Sequence, residues 1–356
     1  MPRRGGHAWV FAQWLLGLRT LGFEVVFVDR LEAPTQAEIY WLRDVMTFVD
    51  LADSWALRTR HDTIGPKAAD LVDWFTDADV CIDIMGHAPR DLLALARCTV
   101  LVDIDPGFGQ WWQQLGQAEV FGRHHRYATV GLAVGTPRSA VPTLGIDWIT
   151  MPPPVSLTEW PEQTQAGTGV TSVATWRGPF DPIEVDGARL GLRAHQFRGY
   201  LDVPRTSGQT IELALEIDPA DASDAAMLRQ SGYRLTDPLV AAGDLTSYRE
   251  FVQRSAAELC VAKDLYVRTR GGWFSDRSAC YLASGRPVVH HDTGFDARLP
   301  TGEGLLTFHD PASASAAIAA VTADPEAHGQ AARALAVEYF EASSVIGRLI
   351  DQVVMS

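Results

Sequence analysis

The feature that most constrains the fold is a regular alternation of short apolar runs with helical patterns. In the first half of the 356 residues, helix-length segments separate four runs: Glu24–Asp29, Val80–Met85, Thr99–Ile104 and Tyr127–Ala133. Continuous apolar runs of this length are typical of parallel strands covered by helices on both faces. The pattern therefore predicts an α/β domain of the doubly wound type.

The second half predicts another domain of the same class. After the proline-rich stretch Met151–Val155, apolar runs restart at Thr171–Thr175 and Ile211–Ile217, again with helical patterns between them. The pattern therefore predicts two Rossmann-like domains. The predicted segments are a first domain at 1–155, a second domain at 156–340 and a C-terminal helix within 341–356.

The beginning of the first domain departs from the expected order. A doubly wound domain normally opens with a strand, whereas here the turn Gly5-Gly6-His7 leads directly into an apolar-rich helix over residues 8–21. Two interpretations are open: the sequence starts late, or the strand is absent from the domain.

Composition narrows the class of protein. The net charge of −14 disfavours a general nucleic-acid binder, which would usually show a basic face. The four cysteines are scattered within apolar runs without a CxxC pair, which favours reduced thiols over disulfides or zinc. No run approaches the ~18 apolar residues of a membrane helix, and no signal peptide is visible. We expect a cytoplasmic protein without a transmembrane segment.

The segment from Gly271 to Val289 indicates the kind of ligand. Gly271-Gly272 is followed by Ser275, a favourable N-cap, and by Asp276, which suits the positive end of a helix dipole. Gly285 then ends the helix before a Val-Val strand. A glycine turn that leads into a helix N-terminus offers unpaired N–H groups to an anion, commonly a phosphate.

This segment resembles the donor-binding region of GT-B glycosyltransferases, in which a loop, a helix and an Ala-Ser-Gly-x-Pro-Val-Val sequence flank the nucleotide sugar. The similarity covers residues 255–310, which include the further matching segments Asp292–Phe295 and Leu299–Leu306. It implies the GT-B fold, in which two Rossmann-like domains face a cleft and the last helix crosses back to the first domain. Retaining enzymes of the common bacterial type carry two glutamates, and the corresponding positions here are Gly272 and Cys280. The stereochemical outcome therefore stays open.

The resemblance also implies a donor site. Lys263 and Arg177, which follow two strands of the second domain, match the cations that neutralise the donor diphosphate. Lys263 could instead be a surface lysine, and Arg277 could pair with Asp276 or Glu258 rather than bind phosphate. The predicted donor-binding residues are Gly6, Arg177, Lys263, Phe274, Ser275, Asp276, Arg277 and Ser278.

Candidates for catalysis and for the acceptor lie in the first domain. His7 could act as a general base or pack against the first helix. Asp105 follows a predicted strand, where ligands of open α/β sheets bind, but it could also only brace the Asp-Pro-Gly turn. Asp103 should project the same way as Asp105, because side chains on a strand alternate. His87 and Trp9 are predicted acceptor contacts.

Together these features predict a glycosyltransferase that uses a nucleotide-diphosphate sugar and a small-molecule or glycan acceptor. No further cofactor and no metal are expected, because GT-B transferases generally need none. Two alternatives remain: a nucleotide-sugar epimerase of the same fold and a binder without catalytic activity. A dehydrogenase is disfavoured, because no G-x-G-x-x-G follows a predicted strand.

Overall fold

The computed structural model describes residues 3–122, 124–178, 180–185 and 187–354. The described residues of the first domain form five α-helices and seven strands. The helices are α1 (Gly5–Thr20), α2 (Gln36–Phe48), α3 (Leu71–Asp77), α4 (Arg90–Leu93) and α5 (Phe108–Gln114). The strands are β1 (Phe27–Arg30), β2 (Trp55–Arg58), β3 (Thr63–Ile64), β4 (Cys81–Ile84), β5 (Thr99–Asp103), β6 (Arg126–Thr129) and β7 (Trp148–Thr150).

These strands form two separate sheets. β1 pairs in parallel with β2, which pairs antiparallel with β3, whereas β4, β5, β6 and β7 form a parallel sheet in that order. The predicted runs are present but shifted or shortened. The run at 24–29 becomes a strand only from Phe27, and the run at 127–133 ends as a strand at Thr129.

The second domain has one six-stranded parallel sheet. Its strands are β8 (Val170–Thr175), β11 (Ile211–Glu216), β12 (Tyr233–Thr236), β13 (Ala257–Cys260), β14 (Val288–His291) and β15 (Leu305–Phe308). Their spatial order is β12-β11-β8-β13-β14-β15, which is the doubly wound order with β8 in the centre. A hairpin of β9 (Ile183–Val185) and β10 (Ala188–Leu190) lies between β8 and the first helix of this domain.

The described residues that follow the first domain form ten α-helices. Those connecting the strands of the second domain are α6 (Arg193–Phe197), α7 (Val203–Ser207), α8 (Ala222–Gln230), α9 (Pro238–Ala242), α10 (Leu245–Gln253), α11 (Asp264–Thr269) and α12 (Asp276–Ala283). The last three are α13 (Pro311–Ala323), α14 (Pro325–Leu335) and α15 (Ala342–Val354). No helix formed by the described residues is both long and apolar enough to cross a membrane.

The C-terminal helix crosses back to the first domain, as predicted. Val345, Ile346 and Leu349 of α15 are buried in one cluster with Trp14 of α1 and Val102 of β5. The last strand of the first domain ends at Thr150 and the first strand of the second begins at Val170, so the predicted boundary at 155 falls between them. The C-terminal helix is thus part of the core of the first domain.

Candidate functional site

The helix that was predicted to hold the donor lies at the contact between the domains. α12 begins at Asp276, and Ser275 occupies the N-cap position without accepting a hydrogen bond from the first turn. Gly285, with φ +68°, ends the helix as predicted. A cavity of about 20 Å³ at the first turn is lined by Asp276 and by side chains of α1, among them Gln13. This is far smaller than the ~300 Å³ of a typical ligand pocket.

The glycine turn before α12 holds the two domains together. The N–H groups of Leu132 and Ala133 in the first domain donate to the carbonyls of Gly272 (3.1 Å) and Gly271 (3.0 Å). Gly272 has φ +74°, and a Cβ there would lie 2.5 Å from the Ala133 nitrogen. Glycine is therefore required for close backbone approach. The interpretation of this turn as a phosphate loop needs correction, since it contacts protein.

Lys263 lies at the crevice of the second sheet. It follows β13, the neighbour of β8, so it stands where the strand order reverses and where open α/β sheets bind ligands. The residue is 5% exposed, and its Nζ contacts Asp105 Oδ1 of the first domain (3.4 Å) and the Tyr266 hydroxyl (3.2 Å). Burial lowers the pKa of Lys263, and the Asp105 carboxylate opposes that shift. The interpretation as a surface lysine is thereby excluded.

Aromatic rings surround this lysine. Its Nζ lies 4.5 Å from the ring centre of Phe108 and 5.4 Å from that of Phe180. Cation–π contacts of this kind strengthen when the charge is desolvated. Tyr266 also donates a hydrogen bond to Asp105. Sequence reasoning missed Tyr266, although it lies three residues after Lys263 at the start of a helix, a spacing that places side chains on one face.

The two aspartates after β5 have different roles. β5 ends at Asp103, whose carboxylate accepts hydrogen bonds from Gln110 Nε2 (2.6 Å), the Thr129 hydroxyl (3.2 Å) and the Asp105 N–H (3.0 Å). Burial raises the pKa of Asp103 to about 6. Asp103 therefore braces the turn while Asp105 reaches Lys263. The prediction that the two side chains project alike is wrong, because the strand ends between them.

Three predicted donor contacts are core residues of the second domain. Arg277 pairs with Glu258 and donates to the Val173 carbonyl (2.6 Å), which is the structural alternative considered for it. Phe274 is fully buried and stacks on His290 with ring centres 5.2 Å apart. Ser278 is also fully buried. Phe274 and Ser278 have no exposed surface, and the Arg277 guanidinium is held in its ion pair, so none of the three is open to a ligand in this arrangement.

Arg177 does not join Lys263 through its side chain. Its guanidinium donates two hydrogen bonds, each of 2.7 Å, to the carboxylate of Asp221, which precedes α8. The side chain is 57% exposed. The adjacent Gly178 lies against the Lys263 stem, so the backbone of this loop, rather than the Arg177 charge, is beside the lysine.

The first domain brings His7 and His87 to one edge. The prediction that Gly5-Gly6-His7 forms a turn before the first helix is wrong, because α1 already begins at Gly5. Although His7 is exposed, desolvation by the surrounding protein, with the nearby charges of His87 and Arg4, lowers its pKa to about 4. His87 is exposed just beyond the end of β4. Both side chains are available to a ligand.

Gly6 and Trp9 pack against the second domain instead. A Cβ on Gly6 would lie 2.9 Å from the ring of Tyr248 in α10. The Trp9 indole donates to the Leu245 carbonyl (2.8 Å) and packs against Trp160, leaving the residue 1% exposed. The prediction that Trp9 stacks on an acceptor and that Gly6 contacts the donor does not fit these positions.

Two facing doubly wound domains joined by a returning C-terminal helix define the GT-B fold of glycosyltransferases. The chain is similar to HepE of Anabaena in complex with UDP-glucose, with a TM-score of 0.61, 11% identity and coverage of 100% of this chain and 98% of that one. It is also similar to AviGT4, a glycosyltransferase involved in avilamycin A biosynthesis, with a TM-score of 0.57, 14% identity and coverage of 99% and 90%.

A glycosyltransferase from Rickettsia africae gives a TM-score of 0.54 at 8% identity, covering 98% of this chain and 94% of that one. No protein-family model matches the sequence, and no curated protein matches it significantly. The predicted GT-B resemblance is thus confirmed at the level of the fold.

The half-buried carboxyl of Asp276 at the start of α12 predicts a pH-dependent stability. Burial raises the pKa of Asp276 to about 6, with Arg277 opposing the shift. The native state then holds this proton between about pH 4 and 6 while the unfolded chain releases it, so stability falls as pH rises through that range. Asp276→Asn should remove this loss. The change in the free energy of unfolding from pH 4 to pH 7 should then be more favourable in the variant than in the wild type by about 1–2 kcal/mol.

Urea unfolding of both proteins at pH 4 and pH 7 measures this difference. Asp103, whose pKa is also raised, is present in both proteins and cancels in the comparison. An identical pH dependence in the two proteins would show that Asp276 is solvated in the native state.

Proposed function

We propose that this protein is a glycosyltransferase that moves a sugar from a nucleotide-diphosphate donor to a hydroxyl acceptor, a small molecule or a glycan. The observation that carries the proposal is the position of Lys263. A buried ammonium stands at the strand-order reversal of the second sheet, opposite Asp105 of the first domain. UDP-glucose is the ligand in the HepE complex to which this fold is similar.

The chemistry follows from charge. When the bond between sugar and diphosphate breaks, the leaving group gains negative charge, so a cation fixed beside it stabilises the transition state more than the ground state. Lys263 would take a phosphate oxygen in exchange for Asp105. The N–H groups at the start of α12 would add the positive end of a helix dipole, since Ser275 does not cap them.

Binding of the donor at α12 requires the domains to separate there. The cavity of about 20 Å³ at its first turn does not hold a nucleotide sugar. The bonds from residues 132 and 133 to the glycine turn are the contacts that must open. Domain closure about a hinge is a common way to exclude water from a reaction.

The acceptor would bind on the first domain beside His7 and His87. With a pKa of about 4, the His7 imidazole is neutral at pH 7 and can accept a proton, with a basicity like that of a carboxylate. Asp105 is the other candidate base, and it becomes free for this role once Lys263 holds the diphosphate.

Thermal shifts with a panel of nucleosides, nucleoside diphosphates and nucleotide sugars test the donor site, because a ligand that binds the folded state raises the melting temperature. The proposal requires a larger shift with a diphosphate than with its nucleoside. Release of free nucleoside diphosphate only when an acceptor mixture is supplied then tests transfer. Equal shifts for nucleoside and diphosphate would contradict the phosphate site.

A binder without catalytic activity is the second candidate, and two observations favour it. The glutamate positions are occupied by Gly272 and Cys280, and the glycine turn is used for domain contact. Calorimetry that detects nucleotide binding, together with neither transfer nor hydrolysis over days, would support this candidate over the transferase. Interconversion of nucleotide sugars without an acceptor would instead identify an epimerase.

A further inference from the structure

The hairpin of β9 and β10 begins and ends beside Lys263. Phe180, which precedes β9, has its ring centre 5.4 Å from the Lys263 Nζ and 4.9 Å from the ring centre of Phe108 in the first domain. Gly191, which follows β10, lies so close to the same residue that a Cβ there would be 2.9 Å from the Phe108 ring. Both ends of the hairpin therefore meet the aromatic residue that stands over the lysine in the first domain.

The hairpin connects the two domains through apolar side chains. Its inward side chains are buried in one cluster together with residues from both domains. The hairpin contributes Ile183, Val185 and Leu190, the first domain Phe108 and Val130, and the second domain Leu265 and Tyr266. Glu184, between two of the inward residues, is exposed. One face of β9 therefore packs into the contact between the domains, and the other faces solvent.

Few polar contacts hold the hairpin in this position. Among the described residues, one hydrogen bond joins it to the rest of the chain, from the Gly191 N–H to Asp264 Oδ1 (2.5 Å). The two strands pair with each other and form a sheet of their own. A two-stranded hairpin is marginally stable by itself in water, so its position depends on the apolar cluster.

The chain can bend on both sides of the hairpin. Gly178 and Gly191 have φ values of +89° and +125°, which residues with a side chain rarely adopt. Hinges of moving segments are a few positions that absorb large changes in φ and ψ. Rotation at these two glycines would lift Phe180 away from Phe108 and uncover Lys263. The six-stranded sheet would keep all its pairings, because β9 and β10 are not part of it.

We propose that the hairpin is a lid over Lys263, which is closed in this structure and lifts when an anionic ligand enters. The inference rests on the proposed function, in which Lys263 receives the donor diphosphate. In the closed state the Asp105 carboxylate takes the place of that anion beside the ammonium, at 3.4 Å. Opening of the lid then limits how fast the donor binds, and its closure over the bound diphosphate excludes water.

Acylation of amines measures the opening, because the chain has two lysines and Lys67 is an internal reference for Lys263. Lys263 is 5% exposed, so N-hydroxysuccinimidyl acetate should modify it much more slowly than Lys67 in the full wild-type chain. Ile183→Asn places an amide in the apolar cluster and weakens the docking of the lid. It should raise the rate at Lys263 by about tenfold or more and leave the rate at Lys67 unchanged. Mass spectrometry of the peptides gives both rates.

Two controls separate opening of the lid from other effects. Glu184→Asn changes the neighbouring residue of β9 on its exposed face, so it should leave both lysine rates within about twofold of the wild-type rates. Cys260 is fully buried three residues before Lys263, and its thiol reports unfolding of the second domain. This thiol should stay unreactive toward iodoacetamide in all three proteins.

The lid is overturned by equal rates at Lys263 in Ile183→Asn and Glu184→Asn, by wild-type labelling of Lys263 as fast as that of Lys67, or by alkylation of Cys260 in step with the acylation. Inorganic pyrophosphate added to Ile183→Asn tests the phosphate site separately, since a bound anion should protect Lys263. If the variant raises the rate and pyrophosphate gives no protection, the lid stands and the proposed phosphate site is contradicted.

Discussion

Lys263→Met is expected to lower kcat/KM for the nucleotide-sugar donor at least 100-fold, about 3 kcal/mol of transition-state stabilisation. Methionine keeps the unbranched stem between Phe108 and Phe180 and removes only the charge. Asp105 is left without its cation, but it is 25% exposed and can be hydrated. The melting temperature should therefore change by only a few degrees, and release of nucleoside diphosphate measures the loss.

The chain contains its own control for this variant. Lys67, the other of its two lysines, also lies over an aromatic ring, with its Nζ 5.2 Å from the centre of Trp74, but in the first domain. Lys67→Met should leave turnover within about twofold of the wild-type rate. Wild-type turnover in Lys263→Met would remove the phosphate assignment.

Arg277→Met is expected to lower the free energy of unfolding by about 3–5 kcal/mol, because it leaves the buried carboxylate of Glu258 without its partner. The change also removes the hydrogen bond to the Val173 carbonyl in the central strand. Urea unfolding followed by tryptophan fluorescence measures the difference. Glu258→Gln in the same chain should recover part of the lost stability, since the uncompensated charge is then absent.

Arg205→Met is the matched control for this arginine. Its pair with Asp202 is about 70% exposed on both sides, and such pairs contribute at most ~1 kcal/mol. If Arg277→Met instead left stability unchanged and weakened binding of nucleoside diphosphates, Arg277 would be a ligand contact and the core assignment would be wrong.

How far the sequence predicts this molecule depends on the range of the interactions involved. The second domain follows from its strand and helix patterns, which are local. The position of Lys263 could also be predicted, because a residue that directly follows an interior parallel strand lies at the carboxyl end of the sheet. Tyr266 could have been predicted together with Lys263, because it lies three residues later at the start of a helix.

The glycine turn could not be interpreted from sequence. A turn of this type before a helix suits a phosphate or a neighbouring backbone equally, and the choice depends on residues 131–133, about 140 positions away. Arg277 presented the same ambiguity. An arginine at this position suits either an ion pair with Glu258 or a bound phosphate, and the sequence does not distinguish the two. The order of elements indicated that the first sheet is unusual, because the domain opens with a helix where a strand is expected. It did not indicate that a cavity of about 540 Å³ lies between the two parts of that sheet.

The returning helix has a consequence for synthesis on the ribosome. Val345, Ile346 and Leu349 fill the interior beside Trp14, yet they are translated more than 300 residues after it. The amino-terminal half cannot reach its final packing until almost the whole polypeptide has emerged. The carboxy-terminal half contains its complete central sheet by Phe308 and can consolidate first, so maturation runs against the direction of translation.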